Sequence, residues 1–139
     1  MLMKLRDRIK LKQRLKLQGK TSFLESMGHA LDGIEYTASH ERNFRIETIM
    51  AILVSIMGFL LKISLIEWAI LVLTIAMVLS LEIINTAIER SVDLVTKDYK
   101  ELAKIAKDAS AGAVLVMSMF SIIIGILIFL PKIIQVIGG

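Results

Sequence analysis

Residues 109–131 run for 23 positions without a charged side chain. A helix of that length rises about 34 Å, enough to cross the ~30 Å hydrocarbon layer of a bilayer. Lipid offers no water to backbone N–H and C=O groups, so such a span predicts a helix. Two further uncharged runs, residues 48–61 and 68–81, have 14 residues each. The first is flanked by Glu47 and Lys62, whose side chains reach the interfaces if the helix runs one turn further at each end. The second continues in helical register through EIINTAIERSVDLV with neither Gly nor Pro. The expected fold class is all-α integral membrane, with transmembrane helices over about 46–63, 66–95 and 100–131. A hydrophobic content of 55% agrees, since soluble domains hold about 45–50%.

The charge is unevenly placed. Residues 1–20 carry eight Lys and Arg against Asp7, whereas the remainder carries nine against twelve acids. This basic arm over 1–21 lacks the apolar core of a signal peptide and matches a cytoplasmic flank under the positive-inside rule. The loop over 97–107 has four lysines and belongs on the same side. The plasma membrane is then crossed three times, with the N-terminus cytoplasmic and the C-terminus outside. Nucleic-acid binding would need a recognition fold and stacking aromatics, and aromatic residues are only 6% of the chain. With no cysteine there is no disulfide, thiolate zinc site or cysteine nucleophile. Between arm and first span, Leu24, Met27, Leu31, Ile34 and Ala38 form an apolar stripe, and Ser22 with Glu25 suits a capping box. These residues predict an amphipathic surface helix over 22–43. Residues 22–139 read as a single membrane domain.

Chemistry concentrates on the second span. With Glu82 at 0° and 100° per residue, Asn85 lies at about −60°, Glu89 at −20°, Asp93 at +20° and Thr86 at +40°. Ionisable groups at membrane depth cost several kcal/mol or more and mark a protein-lined or water-lined site. The third span opens with Glu101, Lys104, Lys107 and Asp108, followed by small residues that permit close helix approach. Carboxylates without cysteine or a histidine cluster suit a hard cation such as Mg2+, which takes one or two carboxylates plus phosphate oxygens. Glu82 and Glu89 stand ~10.5 Å apart along the axis, about the reach of a triphosphate. This set suits phosphoryl transfer to a membrane-embedded hydroxyl. Gly19-Lys20-Thr21 mimics the end of a P-loop, but Arg14 stands where that motif requires Gly.

The run 82–93, EIINTAIERSVD, with Ala106-Lys107-Asp108 and the upstream Gly33-Ile34 and 41–47 segments, resembles the bacterial diacylglycerol kinase family of small membrane lipid kinases. That resemblance covers about residues 22–130. It implies a homotrimer with composite active sites, ATP as phosphate donor, Glu82 as general base and Asn85 as its hydrogen-bonding support. It further implies Glu41 and Glu89 as Mg2+ ligands, Lys107 and Asp108 near the ATP phosphates, Asp98, Tyr99 and Lys100 in a nucleotide-contacting loop, and His29 near adenine. Lys104 and Ile105 replace the Gly and Arg of the Gram-negative branch, and the basic arm and the tail after Pro131 are similar to the Gram-positive, undecaprenol kinase branch. The leading expectation is an undecaprenol kinase. The alternatives are a diacylglycerol kinase and, from a different class, an ion-coupled transporter using Glu82 and Glu89 as a proton relay.

Overall fold

The structure is a computed structural model that describes residues 23–138. The basic arm expected over 1–21, and Ser22 of the expected capping box, lie outside the described residues. Four helices follow in order: α1 (Phe23–His40), α2 (Arg42–Leu60), α3 (Leu65–Val95) and α4 (Glu101–Gly138). Among the described residues there is no strand. The chain divides into two units between Tyr36 and Thr37. The first contains most of α1, whose residues 23–36 are nearly all exposed, including Phe23, Leu24 and Leu31.

The second unit holds α2, α3 and α4, and each is long and apolar enough to cross a membrane. The surface helix was expected to run to residue 43, but α1 stops at His40 because Glu41 is extended, at φ −101° and ψ 120°. Arg42 and Asn43 therefore open α2, and Phe44, its third residue, is buried. Most hydroxyls within the spans donate to a carbonyl of their own helix, Thr48 to Phe44, Ser55 to Ala51 and Thr74 to Ile70. A hydroxyl satisfied in this way needs no water and is tolerated in lipid.

The turn joining α2 to α3 forms the apolar end of this unit. The N–H of Lys62 donates to Phe59 O at 3.3 Å and that of Ile63 to Gly58 O at 3.2 Å. This is a Schellman closure, with Lys62 in the left-handed region at φ 50° where glycine is usual. Ile63, just past the turn, is buried with Leu71, Ile128 and Phe129, and Trp68, Met57, Val54 and Ile133 pack around them. Ser64 and Glu67 then start α3 with a capping box, the Ser64 N–H donating to Glu67 Oε2 at 2.6 Å and the Glu67 N–H to Ser64 Oγ at 3.3 Å. The same Glu67 pairs with Lys132 of α4 at 3.7 Å.

The third span was expected to end at Pro131, yet α4 continues through it to Gly138. Proline removes a backbone donor and usually breaks a helix. Here Phe129 and Ile133 anchor both sides of Pro131 to the Trp68 cluster, and the Lys132–Glu67 pair adds a polar tether. α3 packs more extensively on α4 than on α2.

At Gly58 there is no room for a side chain: a Cβ there would sit 3.0 Å from Trp68 Cζ2 and 3.1 Å from Ile63 Cδ1. Gly58→Val should lower stability by about 1–3 kcal/mol through overpacking. Thermal unfolding of the purified protein in micelles, compared with Ala51→Val on the same helix, measures it.

Candidate functional site

The polar face of α3 turns toward protein. Glu82 is only 2% exposed and Thr86 is buried, with Thr86 Oγ1 donating to Glu82 O at 2.9 Å. Asn85, Glu89 and Asp93, on the same stripe, are half-buried. The carboxylates of Glu41 and Glu89 both lie close enough to act electrostatically on Glu82.

Helix α4 meets this face through two side chains. Ser110 Oγ donates to Asn85 Oδ1 at 2.7 Å, and Asn85 Nδ2 donates to Glu89 Oε1 at 3.2 Å. Family resemblance gives Asn85 to Glu82; in the structure its hydrogen bonds run to Ser110 and Glu89. One turn earlier on α4, Lys107 Nζ donates to Asp93 Oδ1 at 2.5 Å. Lys104 pairs with Asp108 on the exposed side of the same helix.

Helix α2 contributes at its start. Glu41 is the N-cap of α2, yet its side chain makes no capping hydrogen bond and accepts from Arg90 Nη2 at 2.8 Å instead. Further along α2, Glu47 Oε2 is shielded from solvent and has no hydrogen-bond partner among the described residues.

Two cavities adjoin these groups. One, of about 440 Å³, is bounded by Asp93, Lys107 and Asp108 and by the α3–α4 loop with Asp98, Tyr99 and Lys100. Its charged lining, with Lys97, Lys100, Lys104 and Lys107, suits an anion of several charges. The loop is shaped locally by Thr96, whose Oγ1 accepts from the Asp98 N–H at 3.1 Å. The other, of about 760 Å³, lies among α2, α3 and α4 and is apolar except for Glu47, Thr74, Ser118 and Ser121.

Of the residues singled out from sequence, Asn85 and Glu89 are hydrogen-bonded to each other on the same face of α3 as the buried Glu82, and Glu41 is held to α3 through Arg90. Asp98, Tyr99, Lys100, Lys107 and Asp108 surround the polar cavity, joined to the stripe by the Lys107–Asp93 pair. His29 lies in the first unit, exposed and 3.9 Å from Asp32. The sequence reading did not single out Ser110, Arg90 or Glu47 as site residues. Arg90 carried a signal, a cation directly after Glu89 on the polar flank of α3. Glu47 reads from sequence as an interfacial flank, and Ser110 sits among alanines and a glycine with no pattern that marks it.

Among the described residues no three His, Asp or Glu side chains converge as a closed metal cage. The donors present, Glu41 and Glu89, are hard carboxylate oxygens. They fit a cation completed by nucleotide phosphates, as magnesium usually is.

The profile of the prokaryotic diacylglycerol kinases matches residues 28–129. The chain belongs to that family. It is 54% identical over 110 residues to the undecaprenol kinase of Bacillus subtilis, covering 79% of this chain and 89% of that protein. It is 42% identical over 115 residues to a Synechocystis diacylglycerol kinase, covering 82% and 66%. With the diacylglycerol kinase of Escherichia coli K12 it shares 30% identity over 105 residues, covering 76% and 86%. Membership makes the chain an ATP-dependent lipid kinase, and three spans make it a multi-pass membrane protein.

The Asn85–Ser110 bond is one of two side-chain ties between the α3 stripe and α4, the other being Lys107–Asp93. A double-mutant cycle of Asn85→Ala and Ser110→Ala should return a coupling of about 0.5–1 kcal/mol in unfolding free energy in micelles. Additive losses would show that the bond contributes nothing.

Proposed function

We propose that this chain phosphorylates undecaprenol with the γ-phosphate of ATP at the cytoplasmic membrane interface. The observation that carries the reading is the junction of three features in one unit: a carboxylate cluster on α3, a lysine-lined polar cavity at one end of it, and an apolar cavity alongside. Phosphate, metal and lipid chain each have a place of matching chemistry. The 54% identity to the Bacillus subtilis undecaprenol kinase supports the choice of lipid.

The reaction needs little covalent participation from the protein. The alcohol oxygen attacks the γ-phosphorus, the bond to the β–γ bridging oxygen breaks, and ADP leaves. Glu82, buried on the stripe, takes the hydroxyl proton. Asn85, held by Ser110, orients Glu89. Glu41 and Glu89 hold Mg2+, which when bound supplies positive charge to the phosphates. Lys107 and Asp108 face the phosphates from α4, Asp98, Tyr99 and Lys100 contact the nucleotide from the loop, and His29 is the candidate for adenine. Glu47 is the polar end of the apolar cavity, where its unpartnered oxygen suits the hydroxyl of an incoming alcohol.

Further parts of the reading rest on the family resemblance and the charge pattern. The active unit is a homotrimer with composite sites, α1 is an amphipathic surface helix, and the domain over 22–139 follows a cytoplasmic basic arm. The N-terminus and the lysine loop are cytoplasmic and the C-terminus lies outside. An ion-coupled transporter is disfavoured by the Lys107–Asp93 link, because a proton relay through Glu82 and Glu89 has no need of a lysine-lined cavity at its end.

Glu82→Gln keeps the shape of the side chain and removes the proton acceptor. It should lower turnover by about 10²–10⁴-fold while the variant still folds. Near-normal turnover would remove Glu82 from the role of base.

Glu41→Gln and Glu89→Gln should each raise the Mg2+ concentration for half-maximal activity more than they raise the KM for lipid. Wild-type midpoints at saturating lipid in both variants would exclude this ligand pair.

Substrate preference follows from the apolar cavity, since the two candidate alcohols present the same hydroxyl chemistry. A C55 chain sums more apolar contacts than a diacylglycerol, each methylene contributing modestly. Radiolabelled phosphate transfer at equal mole fraction in one detergent should give higher kcat/KM for undecaprenol, with measurable transfer to diacylglycerol. Equal or higher kcat/KM for diacylglycerol would assign the chain to that substrate instead.

A further inference from the structure

The α2 N-terminus carries a long-range ion pair. At an N-cap a short acceptor such as Asp, Asn, Ser or Thr usually bonds the free N–H groups of the first turn. Glu41 does not; its Oε1 accepts from Arg90 Nη2, 49 positions along the chain. The side chain of Glu41 is 22% exposed and that of Arg90 48%. Arg90 directly follows Glu89, so its guanidinium leaves the same turn of α3 as the second proposed metal ligand. Glu89 itself accepts from Asn85 Nδ2, and Glu82, two turns earlier on the same face of α3, is buried.

From this geometry we infer that Arg90 is a resident counter-ion that competes with the divalent cation for Glu41. The inference rests on the reading of Glu41 as a metal-holding residue. Without metal, the guanidinium neutralises Glu41 and holds it against α3. A guanidinium cannot give up its proton in a protein, so it leaves only by moving away. A cation entering between Glu41 and Glu89 therefore meets a like charge already bound to one of its ligands. Arg90 is a positioning residue whose release is coupled to metal entry, and it sets how much metal the cluster requires.

The test is Mn2+ binding, followed by electron paramagnetic resonance, to the full chain in micelles at constant ionic strength without nucleotide. Arg90→Ala should bind Mn2+ about three- to tenfold more tightly than wild type, the scale of one partly exposed ion pair. Arg90→Lys, which keeps the charge, should stay near wild type. Adding Glu41→Gln to Arg90→Ala should cancel the gain. Arg90→Gln repeats the measurement should the alanine variant fail to fold. Mn2+ binding by Arg90→Ala no tighter than wild type, with binding weakened by Glu41→Gln alone, overturns the competition and leaves the metal assignment standing. Tighter binding that survives Glu41→Gln overturns the assignment of Glu41 itself.

Discussion

A helix that crosses a bilayer while carrying Glu82, Asn85, Thr86, Glu89 and Asp93 on one face must turn that face into protein. Exposing ionisable groups to hydrocarbon costs several kcal/mol each, more than any lipid contact returns. The arrangement of the second unit follows from this constraint. Helix α4 brings Ser110 to Asn85 and Lys107 to Asp93, and the start of α2 brings Glu41 to Arg90. Glu82 and Thr86 are left almost without solvent contact. The interactions that make the polar face tolerable in a membrane also bring together the groups proposed for phosphoryl transfer.

The two ends of the helical unit divide the labour. At the α2–α3 turn a Schellman closure and the Ser64–Glu67–Lys132 contacts surround close apolar packing, the Gly58–Trp68 approach and a buried cluster of Ile63, Leu71, Ile128 and Phe129. At the other end the contacts are charged and partly wet, and the α3–α4 loop lies open around a polar cavity. Catalysis of phosphoryl transfer depends chiefly on positioning and charge. The close apolar packing lies at the end away from the charged groups of the proposed site.

Much of this was legible in the residues. Three long spans and an all-helical fold follow from uncharged runs and helical register, because lipid permits few other backbones. The 100° stripe on α3 placed Glu82, Asn85 and Glu89 together before any packing was known. Other features were not legible. The third span reads from sequence as bounded at Pro131; α4 runs through it to Gly138, with Phe129 in the buried cluster and Ile133 packed against that cluster. The end of α1 at His40 depends on the extended backbone of Glu41, which no hydrophobic period marks.

What the sequence by itself determined was which residues share a face and which segments enter lipid. Both depend on local geometry, 3.6 residues per turn and the energy of placing a charge in hydrocarbon. Only the tertiary structure decided the partners. Asn85 bonds Ser110 and Glu89, Glu41 forgoes its own helix for Arg90, and Glu47 is left with a buried oxygen facing an apolar cavity. Pairings between residues 25 or 49 positions apart are set by the angle and register at which helices cross. That register is chosen by side-chain volumes summed over whole interfaces, and no local pattern along the chain encodes it.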